Sequence, residues 1–411
     1  MNKILKISGL IFVLVAAGFL SCSDAEVDSK PNEVRPVVIP ERIAAGTNDF
    51  AFDFFKNLQQ VGSPDENLFV SPLSLHMALG MLLNGAENET AAEILKALKM
   101  EGVSIADLNK AYQTLLNDMP VADSKVSLGL ANSVWYKSTF QVETDFTNVL
   151  KQSFNAEVTG LEFNNAATER INKWASDKTN GKIKQVLDKI DADAVMFLLN
   201  ALYFKGDWTT KFDSKNTLDK PFHLQTGTDR NVKMMFTKSD FALSGSEKYT
   251  AVKLPYGNKQ FEMTLLLPQN GSNITEVMNS ITPSQWNKIK SDTVRTGINL
   301  GLPRFSLEYS EQLNGVLQKM GINKAFLKSA EFGKINKTAP LMVSFVKQDT
   351  YLGIDEKGTE AAAVTSIGIV VTSAGPEPRD VIFDRPFGLI ISEKTSNTIL
   401  FMGRIMNPES K

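Results

Sequence analysis

The chain has 411 residues, of which 43% are hydrophobic and 22% charged, and its formal net charge at pH 7 is −2. This composition is that of a globular protein. It excludes a disordered chain and a polybasic nucleic-acid or membrane binder. The chain has only two histidines and one cysteine. An intrachain disulfide is therefore impossible, and a His/Cys zinc site or a histidine-dependent catalytic triad is disfavoured. The sequence favours a protein that is not an enzyme and that carries neither a metal nor a cofactor.

Residues 1–21 have the pattern of an export signal. Two lysines near the start precede an apolar run, Leu10 to Leu20, which is too short to span a bilayer. Cys22 follows the small Ser21, and this junction resembles a bacterial lipoprotein processing site. The pattern predicts lipidation of Cys22 and anchoring to a membrane surface rather than a membrane span. An ordinary secretory signal with a chance cysteine is the alternative.

Residues 22–42 form a predicted tether between the anchor and the folded domain. The acidic run at 23–28 resembles a tag that exports some Gram-negative lipoproteins to the cell surface, and three prolines follow it. Polar, proline-containing segments hold a domain away from its attachment point. We therefore expect an exported protein that is lipid-anchored to the outer membrane, at the cell surface or facing the periplasm. The folded domain is predicted over residues 43–411.

Helical periodicity dominates the first third of the predicted domain, and strand patterns dominate the rest. Helices are predicted over 48–60, 71–85 and 90–100, the second with proline in its first turn and glycine at its end. Strands rich in β-branched and aromatic residues are predicted over 125–136, 194–204, 261–268, 296–305, 341–352, 381–391 and 398–406. A further helix is predicted over 308–319, ended by Gly321. The order predicts one α+β domain with a large sheet, because no linker divides it.

Residues 353–378 (GIDEKGTEAAAVTSIGIVVTSAGPEP) do not fit an ordinary fold. A charged turn leads into small residues at Thr359 and 361–363, and then into a mostly β-branched run at 364–372. The β-branched run can pair as a strand, so a buried strand of the native sheet is the simplest interpretation. Against that interpretation, the alanines are poor strand formers and other strand patterns flank the segment closely on both sides.

A set of short motifs, in order along the chain, resembles those of the serpin family. The motifs are NLFVSPLS at 67–74, GAENET at 85–90, INKW at 171–174, TNGKI at 179–183, LNALYFKGDW at 199–208, LPRF at 302–305, FDRPF at 383–387 and FMGR at 401–404. The likeness extends over about residues 43–408. It implies the serpin fold, in which helices pack on a large mixed or antiparallel main sheet with smaller sheets. It also implies an exposed reactive-centre loop, which matches residues 356–378.

The resemblance implies a suicide-substrate protease inhibitor. In serpins the target protease cleaves the loop and forms an acyl-enzyme, and the loop then inserts as a new central strand of the main sheet. As a strand, the 14 residues from Thr359 to Thr372 span roughly 46 Å. On the order of a dozen new ladder hydrogen bonds, at about 1 kcal/mol each, rival the whole stability of a domain. The native form is therefore expected to be kinetically trapped.

The start of the loop resembles the hinge of inhibitory serpins, which must enter between paired strands and therefore has little bulk. The hinge residues implied by the resemblance are Glu356, Gly358, Thr359, Ala361, Ala362 and Ala363. Non-inhibitory serpins often carry charged or bulky residues there. A non-inhibitory serpin that binds or carries a ligand at the bacterial surface is the alternative function, and an exported hydrolase is a third.

The family's loop spacing implies cleavage after Thr372 and before Ser373, with Val371 or Ser373 as alternative cleavage residues. No Arg, Lys, Phe, Tyr or Leu lies within residues 358–378. A small or β-branched side chain would therefore enter the primary pocket of the protease. This favours elastase-like serine proteases as partners, and papain-like cysteine proteases are a second possibility.

The same resemblance assigns residues that control the opening of the main sheet. Ser71, Ser74 and Asn200 match a polar cluster beneath the strands, and Gln348 stands where a histidine is usual. Glutamine still donates and accepts hydrogen bonds, but it does not titrate. Trp208 matches a tryptophan near the top of the sheet, where insertion begins. Ordinary core packing is the alternative for each residue. We expect a monomer with no nucleic-acid partner.

Overall fold

The computed structural model describes residues 34–269, 271–359 and 378–409. The helices in these ranges are α1 (Glu41–Leu58), α2 (Pro72–Gly85), α3 (Asn88–Ala97), α4 (Ile105–Asp118), α5 (Thr144–Phe154), α6 (Asn165–Lys178), α7 (Ile274–Ser280), α8 (Pro283–Ser291) and α9 (Asn314–Lys319). Within these ranges, none of the helices has the length and apolar character needed to cross a membrane. The same ranges contain no group of His, Cys, Asp and Glu side chains arranged to hold a metal ion.

The strands, in chain order, alternate between two sheets. They are β1 (Leu68–Val70), β2 (Val126–Lys137), β3 (Glu157–Leu161), β4 (Met196–Asp207), β5 (Thr217–His223), β6 (Asp229–Ser246), β7 (Tyr249–Pro255), β8 (Phe261–Pro268), β9 (Val294–Pro303), β10 (Phe305–Gln312), β11 (Lys347–Ile354), β12 (Gly358–Thr359), β13 (Arg379–Ile382), β14 (Phe387–Glu393) and β15 (Ile399–Ile405).

The main sheet has six strands in the order β10-β11-β12-β4-β2-β3. It is mixed, because β2 and β3 pair in parallel while the other neighbours are antiparallel. Helix α2 packs beneath it and contacts β4. Twelve of the 14 residues of α2 are buried, so this helix lies in the core of the domain.

The remaining strands form a nine-stranded sheet, in which β5 pairs with β6 beside the path β1-β15-β14-β8-β7-β6-β9-β13. The sequence implied separate smaller sheets. These are joined because β6 has 18 residues and pairs with β5 near its start and with β7 near its end. The α+β class and the serpin architecture predicted from the motifs are confirmed.

Three predicted elements differ from the observed ones. Residues 308–312 belong to β10 and not to a helix, since only Asn314–Lys319 is helical. Exposed residues alternate with partly buried ones along β10, and this period of two is that of a strand. The predicted strand over 341–352 begins only at Lys347. The predicted strand over 381–391 is divided into β13 and β14 by a segment that contains Pro386.

The folded region also extends further towards the N-terminus than the predicted boundary at residue 43. Residues 34–40, here called the N-terminal strap, lie within the predicted tether of 22–42. Val37 is fully buried and Ile39 is 8% exposed. Val34 forms a β-bridge with Asp123. The strap packs on the domain because these two apolar side chains leave water. The apolar run VVI at 37–39 was the available signal in the sequence, within a tether that is otherwise polar and rich in proline.

Candidate functional site

Some of the predicted functional residues lie within the described ranges, and the others lie outside them. Glu356, Gly358 and Thr359 of the predicted hinge are described, as are all five residues predicted to control sheet opening. The residues outside the described ranges are Ala361, Ala362 and Ala363 of the hinge, Val371, Thr372 and Ser373 at the predicted cleavage point, and Cys22 at the predicted lipidation site.

A tight turn at 355–358 reverses the chain after β11. The Asp355 N–H donates to the Gly358 carbonyl at 3.0 Å. The Asp355 carboxylate accepts hydrogen bonds from the backbone N–H groups of Lys357, at 2.8 Å, and of Gly358, at 3.2 Å. Aspartate favours turns because its short side chain can satisfy nearby backbone donors in this way. The turn directs the hinge back into the main sheet.

The first hinge residues after the turn form β12 between β11 and β4. Thr359 pairs with Ile354 of β11 and with Gly206 of β4, and Gly358 pairs with Asp207. Both ladders are antiparallel. Within the described ranges, β4 and β11 are connected only through β12. The hinge therefore occupies the first position of a central strand, and the facing edges of β4 and β11 continue beyond it. We call the space between these edges the slot.

Gly358 is required by the close approach of two backbones. A Cβ atom at this position would lie 2.0 Å from the Gly206 carbonyl oxygen and 2.7 Å from the Asp207 Cα. Distances below 3.0 Å to backbone atoms force the chain apart, so only glycine allows β12 to pair this closely with β4. The requirement comes from β4, which lies about 150 residues earlier in the chain.

Thr359 is 3% exposed and its hydroxyl lies 2.6 Å from that of Tyr256. Burial raises the pKa of Tyr256 well above its usual value, so the phenol stays protonated at physiological pH. A neutral hydroxyl pair at this point satisfies both buried groups. Tyr256 was not among the residues singled out from the sequence, and no pattern near it marks the contact.

Trp208 fixes the turn from the β4 side. Its backbone N–H donates to the Lys357 carbonyl at 2.7 Å, and its indole Nε1–H donates to the Asp355 carbonyl at 3.0 Å. The indole also stacks on the Tyr256 ring, with 4.5 Å between ring centroids. The tryptophan expected near the top of the sheet therefore contacts the hinge turn directly.

Glu356 fixes the turn from the other side. Its carboxylate accepts a hydrogen bond from the Thr217 hydroxyl at 2.8 Å, and the other carboxylate oxygen lies 3.7 Å from the Arg304 guanidinium. Its backbone carbonyl accepts from the Phe212 N–H at 2.9 Å. The hinge glutamate is thus held by groups from three separate segments, and these polar contacts do not involve the loop that follows.

The four residues of the predicted polar cluster lie together near the middle of the slot. The Gln348 side chain accepts from the Ser71 N–H and donates to the Ser71 carbonyl, both at 2.9 Å. The Ser71 hydroxyl donates to the Leu400 carbonyl at 2.8 Å and accepts from the Ser74 N–H at 3.2 Å. The Ser74 hydroxyl donates to Asn200 Oδ1. Gln348 therefore uses both ends of its amide at the position where the resemblance implies a histidine.

The cluster has a fifth member that sequence reasoning missed. Asn200 donates to the side-chain oxygen of Asn132 at 2.6 Å, and Asn132 donates to the Phe154 carbonyl at 2.8 Å. Asn132 is 2% exposed. A lone asparagine inside the apolar 125–136 pattern was the available signal, because a buried amide needs partners. We call these five residues, Ser71, Ser74, Asn132, Asn200 and Gln348, the polar network.

Below the polar network the slot opens into a cavity of about 530 Å³. Most of its wall is apolar and comes from β4, α2, α6 and the segment before β11, with Leu75, Leu79, Trp174, Phe197 and Phe345 among the lining side chains. Seven of the twelve residues of β4 are only partly buried. Among the described residues, β4 therefore leaves part of its surface uncovered beside this mainly apolar cavity.

Comparison with known proteins identifies the family. The family model described as serpin (serine protease inhibitor) matches residues 45–408. The leukocyte elastase inhibitor of Sus scrofa is 32% identical, and the match covers 90% of this chain and all of that protein. The native state of tengpin, a thermophilic serpin, superposes with a TM-score of 0.83 at 31% identity, covering 91% of this chain and 96% of that one. Human thyroxine-binding globulin gives a TM-score of 0.82 at 27% identity, covering 90% of this chain and 99% of that one. The chain belongs to the serpin family.

Proposed function

We propose that this serpin traps proteases as a suicide substrate, by inserting its cleaved loop between β4 and β11. The observation that carries the proposal is β12, since at the entrance of the slot Thr359 already pairs with both neighbours and Gly358 pairs with β4. Strand addition is downhill once the loop is free, because each added residue forms backbone hydrogen bonds on two sides. The name of the leukocyte elastase inhibitor supports an inhibitory role for a chain of this similarity.

The register of β12 specifies where each later loop residue would go. Extending it by six residues brings Thr365 opposite Asn200 on β4 and Gln348 on β11 at once. Side chains alternate along a strand, so Thr365 would turn to the same buried face as Thr359. Its hydroxyl would therefore enter the polar network from the slot. A threonine suits this position because it both donates and accepts.

Two further positions fit the cavity in the same register. Ile367 and Ile369 would come opposite Leu198 and Met196, which line the cavity, and would face the core. Burying two isoleucine side chains there stabilises the inserted form by about 3 kcal/mol or more. Glu360 would turn outward to solvent. The polar and apolar residues of the loop thus match the polar network and the cavity without any shift of register.

The proposed targets are elastase-like serine proteases, with papain-like cysteine proteases as a second class. The support is the absence of basic and large aromatic residues from 358–378, which leaves small or β-branched side chains for the primary pocket. Cleavage after Thr372 is expected. Mass spectrometry of the fragments released by elastase tests this, and cleavage confined to bonds outside residues 369–374 would overturn it.

The inhibitory mechanism is tested by incubating the full chain with elastase and looking for a complex that survives SDS. The wild type should form it at close to equal stoichiometry. Thr359→Arg places a long cation against the buried Tyr256 hydroxyl, so the variant should be cleaved without trapping the protease. Thr359→Ser keeps the hydroxyl and is the matched control. A stable complex with Thr359→Arg would contradict the role given to the hinge.

The carrier alternative is distinguished by the same experiment. Thyroxine-binding globulin, by its name, binds thyroxine, which shows that this fold also serves binding proteins. A carrier would give no SDS-stable complex with elastase-like or papain-like proteases, and its native form would not gain stability on cleavage. The intact small-residue hinge, TEAAA at 359–363, supports the inhibitor.

The membrane anchor is also proposed, on the sequence of residues 1–22 alone. Incorporation of a labelled fatty acid should require Cys22, so Cys22→Ala should release the protein from the membrane fraction. Protease shaving of intact cells then distinguishes a surface location from a periplasmic one.

A further inference from the structure

A buried carboxylate supports the turn that carries Tyr256. Asp123 is 1% exposed. One of its oxygens accepts hydrogen bonds from the backbone N–H groups of Asn258, at 2.7 Å, and of Gln260, at 3.4 Å. The other accepts from the Lys125 N–H at 3.0 Å. Asp123 therefore fastens the turn at 256–260, which connects β7 to β8, to the start of β2.

This turn carries Tyr256, the residue that contacts Thr359. Within the turn, the Lys259 N–H donates to the Tyr256 carbonyl at 2.7 Å, and the Tyr256 N–H donates to the Phe261 carbonyl at 2.9 Å. The backbone position of Tyr256 is thus set by the turn. Asp123 holds this turn together with β4 and the residues after it, since the Gly257 N–H donates to the Asp207 carbonyl at 2.9 Å and the Thr209 hydroxyl donates to the Gly257 carbonyl at 3.0 Å. The fit is close, since a Cβ at Gly257 would lie 2.8 Å from a carboxylate oxygen of Asp123.

The N-terminal strap contacts the two segments that support this turn. At one end the Arg35 N–H donates to the Ala122 carbonyl at 3.1 Å, next to the bridge between Val34 and Asp123. At the other end the Thr395 hydroxyl accepts from the Val37 N–H at 2.8 Å and from the Gln260 side chain at 3.0 Å. The strap therefore connects the two loops that support the turn.

We propose that Asp123 is a positioning residue for loop insertion. It acts through the 256–260 turn on the Tyr256 hydroxyl, and the N-terminal strap keeps it in place. The inference rests on the proposed function. Because Tyr256 holds the first inserted residue, a looser turn should delay the start of insertion and give the protease time to hydrolyse the acyl-enzyme. The effect should appear as a change in the fraction of acyl-enzyme that forms the stable complex rather than being hydrolysed.

The test measures the stoichiometry of inhibition of elastase by full-length variants. Asp123→Asn keeps the volume but turns an N–H₂ group towards at least one of the three backbone donors. The stoichiometry should rise at least about threefold above wild type. In a Tyr256→Phe background the same substitution should add little, since the hydroxyl through which it acts is already absent. Ser124→Ala, beside Asp123, removes only a 3.3 Å hydrogen bond from the Asn258 side chain and leaves all three backbone donors on the Asp123 carboxylate, so it should behave as wild type.

Each outcome decides the matter. An unchanged stoichiometry for Asp123→Asn, or a rise that is equally large in the Tyr256→Phe background, overturns the inference while the inhibitory function stands. A wild-type protein that forms no stable complex overturns the proposed function and the inference together. If Asp123→Asn fails to fold, Thr395→Val replaces it and is measured alone and in the Tyr256→Phe background. This change nearly keeps the shape of the side chain but removes the hydroxyl that accepts from Val37 and Gln260 and donates to Glu393, and the same results are expected.

Discussion

The two sheets of this serpin differ in how completely they are closed. In the nine-stranded sheet, every residue of β14 and β15 is buried, and each of these strands is paired on both sides. In the main sheet, β4 is only partly buried, and among the described residues it meets β11 only through the two residues of β12. The nine-stranded sheet is therefore closed around these two strands, whereas the main sheet is the one that we propose to gain a strand.

Cutting the loop should change the main sheet more than any substitution does. Cleavage near Thr372 should let the loop fill the slot, with on the order of a dozen new hydrogen bonds at about 1 kcal/mol each. The melting temperature should then rise by more than about 10 °C. Scanning calorimetry of the intact and the elastase-cleaved protein measures the shift. If the cleaved form melts no later than the intact form, the contrast between the two sheets has no functional meaning.

A truncation in the core of the nine-stranded sheet should destabilise the intact and the cleaved protein equally. Leu389 in β14 is fully buried, so Leu389→Ala should lower the free energy of unfolding by about 2–5 kcal/mol. Urea unfolding of the intact and cleaved proteins measures the loss. Leu218→Ala, at a side chain that is 50% exposed, is the control and should change stability by less than about 0.5 kcal/mol. A loss of stability confined to the intact protein would show that the nine-stranded sheet also rearranges on cleavage.

Mild acid should destabilise the helix beneath the main sheet through His76. Burial lowers the pKa of this histidine to about 4 in the folded protein, from 6.5 in the unfolded chain. The stabilising effect of a neutral His76 is complete above pH 6.5 and is lost as the pH falls towards 4, because the unfolded state then binds the extra proton. The loss amounts to about 3 kcal/mol. Urea unfolding between pH 4 and 7 measures it, and the loss should disappear in His76→Phe.

A smaller loss of stability is expected from a substitution at Gly358, at the entrance of the slot. Gly358→Ala places a Cβ against the β4 backbone, which should weaken the pairing of β12 by about 1–3 kcal/mol. The fraction of elastase trapped in the stable complex should fall, and the free energy of unfolding of the intact protein should fall by no more than this amount. Gly315→Ala is the control, because a Cβ there meets no atom within 4 Å. Equal trapping by Gly358→Ala and wild type would mean that β12 is not needed for insertion.

Local chemistry in the sequence predicted the elements whose boundaries depend on near neighbours. Ser71 and Pro72 specify the start of α2 because a side-chain cap and a missing N–H act within one turn. The helix prediction over 308–319 was wrong, because the strand pairing of β10 depends on β11, which lies about 40 residues further along the chain. Contacts between distant residues could not be predicted for the same reason.

The candidate site shows the same difference between features that local patterns predict and features that depend on distant contacts. The motifs led to Trp208, Gln348 and the hinge, and the structure places Trp208, Gln348 and the described hinge residues 356, 358 and 359 around the slot. Tyr256 and Asp123 were missed, since their partners are 103 and 135 residues away and no local pattern marks either residue. A buried polar side chain becomes recognisable as functional only when its partners are known.

The turn at 355–358 bears on the timing of the proposed trap. Starting an ordered segment is slow because several residues must be fixed before the first bond forms, whereas extending it is fast. Here the chain reversal and the first ladder pairs already exist in the uncut molecule. In the proposed trap, insertion then proceeds as propagation from this preformed nucleus, and its speed is set by how quickly the following residues of the cut loop pair with β4 and β11.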